Sequence, residues 1–185
     1  MSKYLIVVDM QNDFTYGSLG SQEALAIIPA VVEKCKSYDL TKIIFTQDTH
    51  YSDYFNTLEG EKLPVKHCEK LTKGWKVISE LQPYIADDFL NTVIKETFGY
   101  DKWSELFVNC ADDPNFEIEI VGVCTDICVV SNALALRAAF PDVKITVDAS
   151  CCAGTSITNH IMALQVMKSC QIDVINDNYN WKLTA

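Results

Sequence analysis

Residues 120–130 read Ile120-Val-Gly-Val-Cys124-Thr-Asp-Ile-Cys128-Val-Val130, and the way this stretch changes character sets the fold. Its first half closes an apolar, β-branched run from Phe116 to Val123, the composition of a strand buried on both faces. Gly122 inside the run lets another backbone approach closely. From Thr125 the pattern turns helical, with Val129, Val130, Ala133, Leu134 and Leu136 at three-to-four spacing. Thr125 or Asp126 is expected to cap that helix, since a side-chain oxygen can accept one of its orphan N–H groups. Cys128 then falls in the first turn, where the helix dipole and free amides favour a thiolate. A strand, a tight turn and a cysteine at a helix start present a nucleophile at the edge of a sheet. The plain alternative is a buried, inert cysteine, one of eight in the chain.

The flanking sequence repeats the strand–helix alternation. Residues 4–8 form an unbroken apolar strand that ends at Asp9, followed by Met-Gln-Asn-Asp-Phe14. Residues 22–36 carry one amphipathic helical pattern, with Leu25, Ile28, Val32 and Cys35 along a stripe and Pro29 marking a kink or break. Residues 42–46 read as a second strand running into Gln47-Asp48-Thr49-His50, and residues 74–84 as a helix. Residues 91–94 read as a third strand leading into Lys95-Glu-Thr-Phe-Gly99, and residues 100–107 as a short helix. After the loop at 112–115, residues 143–147 form a fifth strand ending at Asp148. Residues 155–168 form a helix with Ile157, Ile161, Leu164 and Met167 inward, residues 172–175 a sixth strand, and the last ten residues a polar tail with one Trp. Such alternation predicts an α/β fold, a parallel sheet with helices on both faces. Polar residues at the C-terminal ends of its strands, Asp9, Asp48 and Lys95, lie where such sheets bind ligands.

Composition bounds the function. A chain of 185 residues with 49% hydrophobic content is expected to be one domain spanning 1–185. No apolar run reaches the ~20 residues of a membrane helix, and no secretory signal is read at the N-terminus. Eight cysteines without such a signal suggest reduced thiols and a cytoplasmic location. A net charge of −10 disfavours nucleic acid and anionic membrane as partners.

Two of the three histidines gather with an aspartate: Asp48 and His50 point to one side of an extended backbone, and His67 follows in Leu-Pro-Val-Lys-His-Cys. Two imidazoles and a carboxylate are a usual ligand set for zinc, iron or manganese. Glu59 is a candidate fourth ligand, with Glu61 the competing choice. A cysteine nucleophile needs a base. His160 reads as mid-helix and the other histidines as ligands, so Asp9 takes the role if Lys95 compensates its charge. The backbone N–H groups of Cys124 and Cys128 then form the oxyanion hole. Phe14 is the candidate apolar wall of the substrate pocket, with Tyr54 and Trp103 as further candidates.

Val-Asp9-Met-Gln-Asn-Asp-Phe, Ile-Lys95-Glu-Thr-Phe-Gly and Gly-Val-Cys-Thr-Asp-Ile-Cys128-Val together resemble the isochorismatase-like cysteine hydrolases across nearly the whole chain. The resemblance implies a three-layer α/β/α fold with a six-stranded parallel sheet, the triad Asp9, Lys95 and Cys128, a cis peptide at Val123–Cys124, and a homo-oligomer. Asp48, His50 and His67-Cys68 resemble the motifs of the family's metal-containing nicotinamidase branch. That implies one divalent metal ion, zinc before iron or manganese, and hydrolysis of a small-molecule amide through a thioester on Cys128. Two positions depart from that branch. Pro64 stands where many members carry an aromatic residue three before the last metal histidine, and Asn56 where some carry an additional histidine.

Overall fold

The computed structural model describes residues 2–87, 90–110 and 113–177; position 112 of the expected loop and residues 178–185 of the polar tail lie outside them. Strands β1 (Ser2–Val8), β2 (Ile43–Asp48), β3 (Thr92–Lys95), β4 (Phe116–Val123), β5 (Lys144–Ala153) and β6 (Asp173–Ile175) form one six-stranded sheet in the order β3-β2-β1-β4-β5-β6. Every neighbouring pair is parallel. The helical elements are α1 (Asn12–Thr15), α2 (Gln22–Ala26), α3 (Ile28–Lys36), α4 (Leu58–Lys62), α5 (Trp103–Leu106), α6 (Val130–Ala139) and α7 (Ile157–Ser169), with short 3-10 turns between some of them.

Alternation along the strands makes two cores. Ile6, Val8, Ile118, Ile120, Ile145 and Val147 face α5, α6 and α7, whereas Leu5, Val7, Ile43, Phe45, Val121 and Val123 face α2 and α3. The result is the expected three-layer α/β/α arrangement. Chain direction across the sheet reverses between β1 and β4. A right-handed crossover puts its helix on opposite faces when that direction reverses, so α3 and α6 lie on different sides. A crevice opens at that switch point, outside the carboxyl ends of β1 and β4.

Gly122 sits at the switch. Its φ is +117°, and a Cβ there would stand 2.1 Å from the Val8 carbonyl oxygen. Only glycine lets the ends of β1 and β4 close to this distance.

Several element boundaries differ from the sequence reading. The 22–36 helix is two helices joined at Ile27, and Pro29 opens the second, where its missing N–H costs nothing. Residues 74–78 are not helical: Asn12 N–H donates to Lys76 O and Ile78 N–H to Met10 O, and only Ser79–Tyr84 coils, as a 3-10 turn containing Pro83. β5 does not stop at Asp148 but runs to Ala153, because Lys34 Nζ lies 2.7 Å from the Asp148 carboxylate and neutralises it inside the strand. On α7, His160, Ala163, Leu164 and Met167 are buried and Ile161 is exposed, so the inward stripe is turned from the expected one. Among the described residues, no helix is long and apolar enough to cross a membrane.

Candidate active site

Three adjacent strand ends and one turn supply the polar groups. β1 ends at Val8, and the chain turns sharply at Asp9, whose φ of 48° a short polar side chain tolerates. The Thr46 hydroxyl on β2 accepts from Asp9 N–H at 3.2 Å and donates to Asp9 Oδ1 at 2.6 Å. Lys95 ends β3 and pairs in register with Asp48. β3 is two strands from β1, roughly 9.5 Å away, and the long lysine stem spans that gap. Its Nζ lies 2.7 Å from Asp9 Oδ2, 3.2 Å from Asp48 Oδ1, 3.1 Å from Thr97 O and 3.6 Å from Cys128 Sγ. The Asp9 contact is an ion pair rather than an aligned hydrogen bond, since Oδ2 has no partner of good hydrogen-bond geometry.

Cys128 reaches this point differently from the sequence reading. The Val123–Cys124 peptide is cis, and Thr125–Val129 form a turn of π-helix before α6 begins. Neither expected cap is made. Thr125 Oγ1 is 2.8 Å from His160 Nδ1, and Asp126 accepts from Thr155 N–H at 2.8 Å and from Thr155 Oγ1 at 2.5 Å. The turn is therefore tied to the start of α7 instead of being self-capped. His160, expected mid-helix, lies in the first turn of α7 and braces the nucleophile turn. The thiolate expected from a helix start is also overridden. Burial, then the Asp9 carboxylate, push the Cys128 thiol well above the ordinary range, with Lys95 pulling the other way. Burial also raises the Asp9 carboxyl, against the pull of Lys95. For Lys95 burial is the largest single influence and opposes the ammonium, but the carboxylates of Asp9 and Asp48 work the other way and the group is raised.

Beside this cluster lie Asp48, His50 and His67, all buried. Backbone pairing brings the second histidine in: His50 N–H donates to Cys68 O at 3.0 Å, and Lys70 N–H to His50 O at 2.9 Å. His50 Nε2 stands 3.0 Å from Asp48 Oδ2, 3.2 Å from His67 Nε2 and 3.5 Å from Glu59 Oε1. His67 Nε2 stands 3.6 Å from both Asp48 Oδ2 and Glu59 Oε1. Ligands on a tetrahedral ion with bonds of ~2.1 Å stand roughly 3.4 Å apart, so these atoms have the spacing of a coordination shell. His67 Nδ1 is 2.9 Å from Val65 O, which places its proton there and leaves the Nε2 lone pair facing the cluster. Asp9 and Asp48 share the Lys95 ammonium and Glu59 faces the two histidines, so the carboxylates outnumber the ammonium and a divalent cation would offset the difference. The donor set therefore fits a divalent metal ion. Glu59 Oε1 stands beside both histidines, whereas Glu61 is exposed.

The pocket candidates separate. Phe14 is 8% exposed, with its ring 5.5 Å from that of His67. Tyr54 is buried against His50 and His67 and donates to Leu63 O, so it backs the ligand histidines. Trp103 is core: it stacks on Phe107, and its Nε1 donates to Asn132 Oδ1. Pro64 is exposed and offers no ring. Sequence reasoning passed over Thr46, Gln11 and Asn132. Gln11 is buried, accepts from Asp48 N–H and donates to Asp48 O and Trp75 O, fixing the Asp48 strand end against β1. Polar residues in apolar runs were the available signal for Thr46 and Asn132.

Comparison with known proteins follows the same lines. The chain is 26% identical over 193 aligned positions to a nicotinamidase/pyrazinamidase of Mycobacterium tuberculosis, covering 92% of this chain and 97% of that one. A zinc complex of a pyrazinamidase from Pyrococcus horikoshii superposes with a TM-score of 0.76 at 25% identity, covering 95% of this chain and 99% of that one. A pyrazinamidase/nicotinamidase from Streptococcus mutans does so with a TM-score of 0.79 at 26% identity, covering 94% and 100%. Matching from residue 3 to residue 178, this chain belongs to the Isochorismatase domain family.

Proposed function

We propose that the protein is a metal-containing cysteine amidohydrolase whose substrate is nicotinamide, converted with water to nicotinate and ammonia. The observation that carries this reading is the Lys95 ammonium, 2.7 Å from Asp9 and 3.6 Å from Cys128, against the Asp48–His50–His67 cluster. Similarity to nicotinamidases and pyrazinamidases supports the substrate class.

Asp9 has the roles of base and acid. Burial raises the Asp9 carboxyl and so favours its taking up a proton, and burial pushes the Cys128 thiol up, so the attacking sulfur has a proton to give. Proton transfer to Asp9 accompanies attack of Sγ on the amide carbon, while Lys95 offsets the negative charge of the pair. The backbone N–H groups of Cys124 and Cys128 receive the oxyanion. Asp9 returns the proton to the departing ammonia, leaving a thioester on Cys128. Water, deprotonated by Asp9, then attacks the thioester, the C–S bond breaks, and Asp9 passes the proton to the departing Cys128 sulfur as the carboxylate product is released. Asp48, His50 and His67, with Glu59 beside them, would hold a divalent ion, zinc in the first instance, and such an ion would supply a Lewis-acidic position for a polar atom of the substrate. Phe14 bounds the pocket on the His67 side.

One observation favours a different small carboxamide: Pro64 leaves the ring without the stacking partner that many relatives of this branch have. The test is a time course of ammonia release over a carboxamide panel including nicotinamide, pyrazinamide and aliphatic amides, with metal analysis of the purified protein. Release from nicotinamide in preference to aliphatic amides supports the reading. Release only from aliphatic amides transfers the site to the alternative.

A further inference from the structure

Lys95 and the nucleophile turn come from strands that are not neighbours, since β2 and β1 lie between β3 and β4. One side chain bridges the segments that carry them. Asn132, two residues into the body of α6, is fully buried. Its Nδ2 donates to Cys128 O at 2.8 Å and to Phe98 O at 3.2 Å. Its Oδ1 accepts from Tyr100 N–H at 2.9 Å and from Trp103 Nε1 at 3.2 Å. An amide side chain has two donor hydrogens and two acceptor lone pairs, so all four are used here. One of the four goes to the nucleophile's own carbonyl and three to the segment that follows Lys95.

That segment is also tied back to the ammonium. Lys95 Nζ donates to Thr97 O, and Thr97 Oγ1 donates to Gly99 O at 2.6 Å. Gly99 packs directly on α6: a Cβ there would lie 3.2 Å from Ser131 O and 3.4 Å from Ser131 Cβ. The loop is thus both hydrogen-bonded and pressed against the nucleophile's helix.

We propose that Asn132 is a positioning residue that sets the Lys95–Cys128 spacing by clamping the segment after Lys95 onto the turn that carries Cys128. The proposal rests on Cys128 being the nucleophile. It does not depend on which amide is the substrate. Asn132 touches no reacting atom and acts through Lys95.

Asn132→Leu keeps the heavy-atom count and the branching at Cγ, though it is larger, and removes all four bonds. With the protein folded, by circular dichroism and melting, kcat should fall by about tenfold or more while KM stays within about threefold, as a small misplacement of a catalytic group costs turnover more than binding. Alkylation of Cys128 by iodoacetamide at pH 7 should slow by about tenfold, because the thiolate that reacts is no longer stabilised by the ammonium as it forms. In a Lys95→Met background the same substitution should cause no further slowing, since its effect passes through Lys95. A folded Asn132→Leu protein with kcat and alkylation rate within about twofold of wild type overturns the proposal. Equal slowing in both backgrounds overturns it as well. Should Asn132→Leu not fold, Gly99→Ala lifts the loop from the other side with Asn132 intact and is read by the same criteria. Should wild type release ammonia from no carboxamide, the substrate reading fails and the alkylation rates alone decide the clamp.

Discussion

Two buried ion clusters lie on this sheet, and they are built on opposite principles. On the α3 side, Glu119 accepts from Lys3 at 2.5 Å, Lys34 at 2.6 Å and Tyr38 at 2.5 Å. Lys34 also reaches Asp148, which accepts further bonds from Ser150 and Asn176. At the crevice, Asp9 and Asp48 share one ammonium while Glu59 stands against His50 and His67, the backbone at Asp9 is left-handed, and Asp9 Oδ2 lacks an aligned donor. The first cluster balances its charges and fills its lone pairs. The second leaves both incomplete, as a site must if substrate, proton and cation are to find partners there. A buried charge by itself therefore marks nothing; unfilled valence does.

This contrast predicts activity without stability at one cluster and stability without activity at the other. The largest effect is expected for Cys128→Ala, which should lower ammonia release by more than about a thousandfold while fold and metal content persist. Retention of a tenth of the activity would remove Cys128 from the chemistry. Cys151→Ala or Cys152→Ala should leave turnover largely intact.

Asp9→Asn comes next. Loss of the base should lower kcat by roughly 10²–10⁴-fold, with the melting temperature little changed. Steady-state kinetics and a melt on one preparation decide it. A loss of stability without loss of kcat would put Asp9 in the same class as Glu119.

His67→Ala removes one imidazole from the shell. It should lose metal, read by elemental analysis, and raise KM more than it lowers kcat, because the ion's place is in holding substrate. Wild-type activity indifferent to chelator and to added zinc or manganese would exclude a metal role.

Lys34→Met should do the reverse: lower stability by about 2 to 3 kcal/mol and leave kcat unchanged below the melting temperature. The figure sits below that for a fully buried pair because the Lys34 side chain is 19% exposed. The pH dependence has a definite sign. Burial works to raise the Glu119 and Asp148 carboxyls, but Lys3, Lys34 and Tyr38 around the first, and Lys34, Ser150 and Asn176 around the second, hold both below the ordinary value. Their contribution is thus complete above about pH 4 to 5 and lost as pH falls through the lowered values. Lys34 is raised by the same partners, so its contribution persists through neutral pH. Melting scanned against pH should show the acid-side loss in wild type and a shallower one in Lys34→Met.

Much of this was legible before any coordinates. Asp9, Asp48 and Lys95 end apolar strands, and a parallel sheet gathers strand ends on one side, so their presence at one end of the sheet followed from pattern, whereas contact between Lys95 and Asp9 did not, because β2 stands between their strands. What failed were inferences from local rules. The helix expected over 74–84 gave way to backbone pairing with Met10 and Asn12, and the strand expected to stop at Asp148 continued because a lysine from another element neutralises that carboxylate. The caps expected from Thr125 and Asp126 were spent on His160 and Thr155.

Residue order by itself determined the alternation of strands and helices, the residues at the strand ends and the chemistry those residues can perform. Periodicity and side-chain type are properties of a few neighbouring positions, and those survive folding. Only the tertiary structure decided that Lys95 reaches Asp9 across β2, that Glu59 and not Glu61 stands beside the histidines, and that burial pushes the Cys128 thiol up where a helix start alone would pull it down. Each of these depends on burial and on charges brought together from distant parts of the chain, and electrostatic energy is set by distance and dielectric, not by sequence separation.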